Sequence, residues 1–283
     1  MKVTFANSAH ITTKERLVLG HGRWRNISLK VRYGLCLHPQ IGPILIDAGY
    51  GPSVTKGAER SLGLKLYSSL FFPDLIPEQA PDAILSRLGY RCDDVKLVIV
   101  SHFHADHIAT LNQFPKAQFL TRRTVFDALA RRTYLQNLRH GVFPELLPET
   151  FSDRLIDMEQ SPLEPLPHGL GEGWDLLGDG SLHAIDLPGH AEGHFGLYFS
   201  TLDTPLLYAV DCQWLMRAIT ENRAPAFPAN LIANDPQALS HSMVKLANFQ
   251  AKGGDILLCH DPIDSPCDWP NFAQDSDDMG GEA

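Results

Sequence analysis

The stretch SHFHADH, residues 101–107, decides how this chain is interpreted, and it directly follows the apolar run Val95–Val100. Three imidazoles and one carboxylate fall within six consecutive positions, between a predicted buried strand and a predicted helix. Neutral imidazole and carboxylate groups suit Zn²⁺ and its neighbours in the first transition series. Because four such groups at one strand end serve no packing purpose, the stretch predicts a metal site.

The composition is that of a globular protein. The chain has 283 residues, of which 44% are hydrophobic and 20% are charged. Its net charge of -9 argues against nucleic acid as a substrate, because nucleic-acid-binding proteins usually carry a basic stripe. No stretch approaches the roughly 20 apolar residues of a membrane span, and residues 1–13 lack the apolar core of a secretory signal. The five cysteines have no repeating spacing, which favours reduced thiols and a cytoplasmic location.

Short apolar runs bounded by turn residues predict strands, several of them buried on one or both faces. Helical patterns alternate with these runs, and the last helix has Asn234 or Asp235 as its N-cap and Pro236 in its first turn. Strands interleaved with helices predict a layered α/β architecture. The predicted strands cover 35–37, 44–46, 95–100, 182–187, 195–199, 206–210 and 256–259, and the predicted helices cover 78–88, 124–138 and 236–249.

Residues 1–263 are expected to form a single domain, followed by an acidic and flexible tail over 264–283. Five prolines and a glycine-rich run punctuate residues 134–180, so we interpret that stretch as an insertion over the site. Residues 62–76 are unusually apolar for a connector. Three interpretations are open for them: part of the core, an apolar wall of the substrate site, or a contact in a homodimer.

Further candidate ligands follow other predicted strands. His190 comes shortly after the strand at 182–187, while Asp211 and His260 come directly at the ends of later strands. Asp47 ends the strand at 44–46 in the same way. Histidines scattered at random would rarely be placed like this, and strand ends are where α/β folds usually carry their chemistry. The pattern therefore predicts a metal-dependent hydrolase.

These residues resemble the signature of the metallo-β-lactamase fold hydrolases, which is His-x-His-x-Asp-His followed by later His, Asp and His ligands. The likeness runs from the turn at Asp47 to His260. Within the superfamily the chain looks most like the N-acyl homoserine lactone lactonases, through LGYRCDD at 88–94, PGHAEGH at 188–194 and CHD at 259–261. The resemblance implies an αββα sandwich, in which two β-sheets lie face to face with helices outside.

The resemblance also implies a dinuclear centre with two divalent ions, foremost Zn²⁺, with Fe, Mn or Co as alternatives. Paired cations lower the pKa of a shared water, so hydroxide would be available near neutral pH. Asp47 would orient a ligand histidine rather than bind metal. The implied ligands are His102, His104 and His190 for one ion, Asp106, His107 and His260 for the other, and Asp211 as the bridge.

The chain departs from that branch at three places. A tyrosine there follows the bridging aspartate by three residues and contacts the substrate carbonyl, whereas this chain has Trp214. An indole N–H donates a hydrogen bond but is not an acid near neutral pH. Ala105 stands where a bulky residue is frequent, and Ile108-Ala109-Thr110 replaces a run of smaller residues. The candidate catalytic residues are Asp106, Asp211 and Trp214.

We expect an enzyme that hydrolyses a lactone or a related ester, with acyl-homoserine lactones among the candidate substrates. Thioesters, aryl esters and phosphoesters are alternatives, because the same metals cleave them. An alternative of another class is a metal-containing effector that binds a small molecule with little turnover. The expected partners are a small ester or lactone and a second copy of the chain, without nucleic acid.

Overall fold

The computed structural model describes residues 1–57, 60–223, 225 and 233–270. These residues form a seven-stranded sheet with the order β4-β1-β2-β3-β5-β6-β7 and a six-stranded sheet with the order β13-β12-β11-β10-β9-β8. The strands of the first sheet are β1 (Lys2–Lys14), β2 (Asn26–His38), β3 (Gly42–Ile46), β4 (Asp74–Leu75), β5 (Leu97–Ile99), β6 (Gln118–Thr121) and β7 (Leu155–Asp157). Those of the second are β8 (Leu163–Leu166), β9 (Gly171–Asp175), β10 (Leu182–Asp186), β11 (Phe195–Phe199), β12 (Leu206–Val210) and β13 (Asp255–Leu258).

The helices connect these strands. The longest of them begins after Asp235, whose carboxylate accepts hydrogen bonds from the N–H groups of Gln237 and Ala238 at 3.0 Å. The α-helices are α1 (Glu15–Val18), α2 (Pro52–Thr55), α3 (Leu62–Phe71), α4 (Pro81–Arg87), α5 (Ala105–Ile108), α6 (Arg123–Arg131), α7 (Tyr134–Arg139), α8 (Met216–Thr220) and α9 (Pro236–Ala251). Short 3₁₀ turns cover Pro77–Gln79, Cys92–Asp94, Leu111–Gln113, Pro144–Leu146, Ser152–Arg154 and Met158–Gln160.

The two sheets pack face to face through large aromatic side chains. The ring centroid of Phe5 in β1 lies 4.7 Å from that of Tyr208 in β12 and 6.2 Å from that of Phe199 in β11. On the opposite face of β12, Leu207 and Ala209 join a second apolar cluster with α9. Because both faces of β12 are covered, its sequence is a continuous apolar run. The α/β sandwich expected from the sequence is confirmed.

Strand direction brings the candidate ligands to one edge. In the first sheet β3 and β5 are parallel neighbours. In the second sheet β10 and β12 are both antiparallel to β11, and β13 is parallel to β12. Strands that run in one direction end at the same edge of their sheet. The segments that follow β3, β5, β10, β12 and β13 therefore converge, and they carry the histidines and aspartates that the sequence singled out.

The first strand was missed in the sequence because polar residues interrupt its apolar pattern. Thr4, Asn7 and Ser8 are nevertheless buried, and each has a hydrogen-bond partner. The Asn7 side-chain oxygen accepts from the Val31 N–H at 2.8 Å, and the Ser8 hydroxyl donates to the Val31 carbonyl at 3.0 Å. Satisfied polar groups of this kind can occupy a core strand at little cost. The helix predicted over 124–138 is two helices, because Thr133 is extended and caps α7.

Most of the stretch 134–180 is not an insertion, and that interpretation is corrected. Its strand β7 extends the first sheet beside β6, and its strands β8 and β9 extend the second sheet beside β10. Only its first part reaches the candidate site, where Val142 forms a backbone bridge with His104. Proline-rich edge strands look irregular in sequence because proline lacks the N–H of a ladder.

The predicted tail begins too early. Asp268 pairs with the buried guanidinium of Arg32 through two hydrogen bonds of 2.8 Å, and the backbone N–H of Trp269 donates to the Phe5 carbonyl. Residues 264–270 therefore belong to the folded domain, and 271–283 lie outside the described residues. Composition does not reveal this buried ion pair, because Arg32 and Asp268 are far apart in sequence.

Helix α3 exposes part of the apolar segment 62–76. Leu62, Leu66 and Leu70 are 85%, 61% and 68% exposed, while Leu64 is buried. Tyr67 is half-buried and packs on Phe143 with 4.9 Å between ring centroids. The core interpretation of this segment thus holds for one face only.

The five cysteines are free thiols. Within the described ranges no helix has the length and apolar character to cross a membrane.

Candidate metal centre

Two groups of potential ligand atoms lie at the common strand edge. In each group the atoms are all within 4.8 Å of one another. Asp211, directly after β12, belongs to both groups. The first group is His102, His104, His190 and Asp211, and the second is His107, Asp211, Cys259 and His260. A carboxylate shared between two groups of potential ligands suits a pair of cations.

Asp211 is the centre of this arrangement. Its Oδ2 atom lies 3.0 Å from Nε2 of His260 and 3.5 Å from Nε2 of His107. The same oxygen lies 3.4 Å from Nε2 of His190. The other carboxylate oxygen, Oδ1, is buried and has no hydrogen-bond partner among the described residues. An unsatisfied buried carboxylate oxygen is costly, so its environment fits a bound cation.

The first cluster has the spacing of a tetrahedral site. His104 Nδ1 lies 3.1 Å from His102 Nε2 and 3.0 Å from His190 Nε2. Metal–nitrogen bonds of the usual length in a tetrahedral zinc site place ligand nitrogens about 3.3 Å apart. Gly141 makes the approach to His104 possible, because a Cβ there would lie 3.0 Å from His104 Cδ2 and its φ is +69°.

Asp106 lies beside the two histidines of the second group. Asp106 Oδ2 lies 3.5 Å from His107 Nε2 and 3.3 Å from His260 Nε2. His107 Nε2 is buried without a hydrogen-bond partner in the described part of the chain, as expected of a ligand atom. Cys259 lies close by, but its thiol donates to the Arg32 carbonyl at 3.3 Å and burial raises its pKa. Thiolate is the metal-binding form, so Asp106 is a better candidate ligand than Cys259.

Hydrogen bonds to the other ring nitrogen orient the candidate ligands. His107 Nδ1 donates to Asp47 Oδ2 at 2.8 Å, and His260 Nδ1 donates to the Lys30 carbonyl at 2.7 Å. The Ser101 hydroxyl donates to Asp47 Oδ2 at 2.8 Å and lies 3.0 Å from His102 Nδ1. Fixing one ring nitrogen in this way directs the other towards a metal. Asp47 Oδ2 thus accepts from both His107 and Ser101.

The backbone is strained beside two of these carboxylates. Asp47 has φ +59° and Val210, the residue before Asp211, has φ +50°. A β-branched residue in this region is a conformational outlier, and such strain concentrates at functional sites. At Val210 it coincides with a register shift between β12 and β13. The positive φ of Val210 changes the direction of the chain between the end of β12 and Asp211.

Burial and charge divide the histidines into two kinds. Burial lowers the pKa of His102, His104 and His190 below the usual value, which keeps these rings in the neutral, metal-binding form. For His107 and His260 burial also acts downward, but the nearby Asp106 and Asp211 carboxylates outweigh it and raise the pKa. Asp106 and Asp211 thus place two carboxylates beside His107 and His260. Their negative charge favours cation binding at these histidines.

His194 lies beside the cluster but uses both ring nitrogens for other purposes. Its Nδ1 donates to the Leu187 carbonyl at 2.7 Å, and its Nε2 accepts from the Asp211 N–H at 3.3 Å. Burial lowers its pKa to about 4, so the ring is neutral. A neutral ring in this position steadies the backbone at Asp211.

Two aromatic groups near the ligands are candidate hydrogen-bond donors to a substrate. The ring of Trp214 is half-buried and lies 6.5 Å from that of His190. The phenols of Tyr50 and Tyr67 are 2.7 Å apart. Burial, and then the Asp106 carboxylate, raise the pKa of Tyr67, so it stays protonated. Sequence reasoning missed Tyr67, and its only signal was the apolar segment around it.

Known proteins resemble this chain in sequence and in structure. The profile described as Metallo-beta-lactamase superfamily matches residues 42–211. An N-acyl homoserine lactonase, AttM, of Rhizobium radiobacter is 26% identical over 264 residues, which cover 90% of this chain and 89% of the relative. AiiA of Bacillus thuringiensis subsp. kurstaki is 25% identical over 165 residues, 58% of this chain and 56% of that one.

Solved structures share the fold. A Bacillus thuringiensis AiiA variant with N-decanoyl-L-homoserine at its active site superposes with a TM-score of 0.65 at 21% identity, covering 92% of this chain and 93% of that one. AidC, described as a dizinc quorum-quenching lactonase, has a TM-score of 0.62 at 15% identity, covering 95% and 88%. At these identities the likeness shows the fold alone.

Proposed function

The chain belongs to the metallo-beta-lactamase superfamily, and on that basis we propose that it is a dinuclear metal-dependent hydrolase that opens a lactone or cleaves a related ester. It is a relative of the N-acyl homoserine lactonases, with 24% and 26% identity over about nine tenths of the chain. Divalent metal binding, foremost of Zn²⁺, is supported by the candidate ligand clusters. The proposal concerns the number of ions, the reaction and the substrate.

One observation carries the dinuclear assignment: Asp211 belongs to both ligand clusters, and its Oδ1 atom and His107 Nε2 are buried without partners among the described residues. His102, His104 and His190 would hold one ion, and Asp106, His107 and His260 the other. Two such ions supply hydroxide near neutral pH and polarise a carbonyl group.

The surrounding side chains then perform three tasks. Asp47 and Ser101 hold the ligand rings in position. Asp211 would offset part of the repulsion between two cations, because it belongs to both groups of potential ligands. Asp106 is placed to carry a proton to the leaving oxygen, since its carboxylate faces the same space as His260. Ring opening then yields a hydroxy acid from the lactone and one water.

Aromatic side chains near the ligands offer a hydrogen-bond donor for the substrate carbonyl, in addition to polarisation by the ions. We assign that donor to Trp214 or Tyr67, two residues that are distant in sequence. The Tyr67 and Tyr50 hydroxyl oxygens are 2.7 Å apart, and with Tyr50 as the donor of this bond the Tyr67 O–H is free to donate to a substrate. A preorganised donor of this kind stabilises a developing oxyanion.

The lactone is the preferred substrate because the relatives found are named as lactonases. The test is incubation of purified, metal-loaded protein with panels of lactones, thioesters, aryl esters and phosphoesters, beside the variant His104→Ala. We expect lactone opening that is lost in the variant. Turnover confined to another ester class would reassign the substrate, and failure to open any lactone would remove this proposal.

The alternative of a small-molecule-binding effector gives a different result in the same test. An effector would bind lactones or esters measurably but would show no turnover that depends on metal. The cytoplasmic location and the homodimer are further proposals. The five free cysteines support a reducing compartment, and the exposed leucines of α3 support a contact between two copies.

A further inference from the structure

The turn that carries His260 is built around one buried side chain of the opposite sheet. Arg32 lies in β2, and its side chain has no exposed surface. Its guanidinium donates to the carbonyl oxygens of Leu258 at 3.1 Å, Asp261 at 2.6 Å and Ile263 at 2.6 Å. Because these carbonyl groups lie on both sides of His260 in the sequence, the guanidinium ties the two ends of the turn together.

Asp268 completes the hydrogen bonds of Arg32. Its carboxylate oxygens accept from Arg32 Nε and Nη2, each at 2.8 Å. Together with the three carbonyl groups, they provide an acceptor for each of the five guanidinium N–H groups. A planar guanidinium bound at every donor is held in one orientation, and the single ammonium group of a lysine does not reproduce this geometry.

The backbone of β2 also holds His260 directly. The Lys30 N–H donates to the His260 carbonyl at 3.3 Å, and His260 Nδ1 donates to the Lys30 carbonyl at 2.7 Å. The Arg32 N–H donates to the Cys259 carbonyl at 3.3 Å. One strand therefore binds the ring and the backbone of His260, while a side chain of the same strand binds the turn around it.

Residues 267–269 run beside β1 and hold Asp268 in place. The Phe5 N–H donates to the Cys267 carbonyl at 2.8 Å, and the Phe5 carbonyl accepts from the Trp269 N–H at 2.8 Å. Asp268 lies between these two bonds and is the bridge partner of Phe5. Its carboxylate thus reaches Arg32 from a backbone that is fixed to the first sheet.

We propose that Arg32 is a positioning residue for the metal ion that His260 would hold, and that Asp268 keeps Arg32 in position. His260 Nε2 lies 3.3 Å from Asp106 Oδ2 and 3.0 Å from Asp211 Oδ2, so a small shift of the turn would separate these atoms. Outer groups that orient a ligand in this way control metal affinity. The inference rests on the proposed dinuclear centre.

The effect of Arg32 is confined to one ion. All acceptors of its guanidinium lie within residues 258–268, whereas the histidines of the other ion lie in other segments of the chain. A purely structural role would lower the stability of the protein without changing the ratio of the two metal affinities. A positioning role changes that ratio, because only one ion loses an oriented ligand.

The test measures the Zn²⁺ affinity of each site separately, by competition with a chelator. His104→Ala disables the first site and His260→Ala the second, so each of these two backgrounds reports on the remaining site. In the His104→Ala background, Asp268→Asn should raise the Kd for Zn²⁺ by about 10-fold, because an amide has one acceptor oxygen and cannot bind both N–H groups of the guanidinium. In the His260→Ala background the same change should leave the Kd unchanged.

Two further variants separate positioning from stability. Asp175→Asn is the matched control, because Asp175 is also a buried carboxylate that accepts three backbone N–H groups, beside the start of β10 and away from the ligands. It should leave the Zn²⁺ Kd unchanged in both backgrounds. Arg32→Lys keeps the charge but loses the planar fork, so it should raise the Kd in the same background as Asp268→Asn. Melting temperatures show that each variant is folded.

The failure of this inference is distinguishable from the failure of the proposed centre. An unchanged Kd for Asp268→Asn in the His104→Ala background, or an equal rise in both backgrounds, overturns the role of Arg32 and leaves the dinuclear centre standing. Saturation of the wild type at one ion overturns the centre and this inference with it. A rise confined to the His104→Ala background, and absent with Asp175→Asn, supports the positioning role.

Discussion

Asp47 Oδ2 accepts a hydrogen bond from His107 Nδ1 at 2.8 Å, and both side chains are fully buried. This bond fixes the tautomer of His107, and its Nε2 atom, which has no hydrogen-bond partner among the described residues, faces Asp106 and Asp211. The strained backbone at Asp47, with φ +59°, holds the carboxylate in that position. Asp47 thereby orients a candidate ligand of the second group without belonging to either group.

Asp47→Asn is expected to weaken metal binding in the second cluster. The amide is a poorer acceptor than the carboxylate, so His107 is held less firmly, and affinity should fall by about 10-fold to 100-fold. Competition with a chelator measures this as loss of one tightly bound ion before the other. Asp179→Asn is the control, because it breaks a similar 2.8 Å bond to His38 elsewhere. Equal chelator resistance in Asp47→Asn and the wild type would contradict the assigned role.

The donor for the substrate carbonyl is tested by two conservative variants. If Tyr67 is the donor, Tyr67→Phe should lower kcat by about 100-fold to 1,000-fold, because loss of one oxyanion donor slows acyl transfer. Trp214→Phe should then have only a small effect, and the reverse holds if Trp214 is the donor. Steady-state kinetics on one lactone decides between them. Unchanged kcat in both variants would show that the metals alone activate the carbonyl.

The ion pair between Arg32 and Asp268 is expected to stabilise the fold. Asp268→Asn should lower the free energy of unfolding by about 2–3 kcal/mol at neutral pH, because a buried guanidinium loses its charged partner. Asp264→Asn is the matched control, since Asp264 is 89% exposed where it meets Lys30, and its loss should cost less than about 1 kcal/mol. Urea unfolding at neutral pH measures both values.

The same ion pair should make stability depend on pH. Burial alone would raise the pKa of Asp268, but Arg32 outweighs it and lowers the pKa below 3.8. A carboxyl group with a lowered folded pKa stabilises the protein above its unfolded pKa, and that stability is lost as pH falls through the folded pKa. The difference between wild type and Asp268→Asn should therefore be constant above about pH 5 and shrink below about pH 4. A difference that is unchanged at pH 3 would refute the role of the pair.

The candidate ligands could be predicted from sequence because each lies close to the end of an apolar strand, and parallel strands end together. Asp211 illustrates this, since the apolar run Leu206–Val210 was found with its observed bounds. Strand β1 could not be predicted, because its buried polar side chains mimic a surface segment. Hydrogen bonds with partners distant in sequence compensate for these polar groups, and a local pattern does not contain them.

The side chains that surround the site could not be predicted from the sequence for the same reason. The hydrogen bond between Tyr67 and Tyr50 and the ion pair between Arg132 and Glu192 form only after the chain has folded. The prolines of residues 134–180 suggested an irregular insertion, yet β7, β8 and β9 complete both sheets. The candidate ligands thus follow from the strand ends, whereas the walls of the site depend on tertiary contacts between residues distant in sequence.

The most direct measurement for the central claim is the metal content of the purified protein, loaded to saturation and analysed by elemental mass spectrometry. The account predicts two divalent ions per chain in the wild type, one tightly bound ion in His104→Ala or His260→Ala, and loss of hydrolysis in both variants. Saturation at one ion per chain, with hydrolysis intact in either variant, would contradict a centre in which Asp211 joins two metal sites.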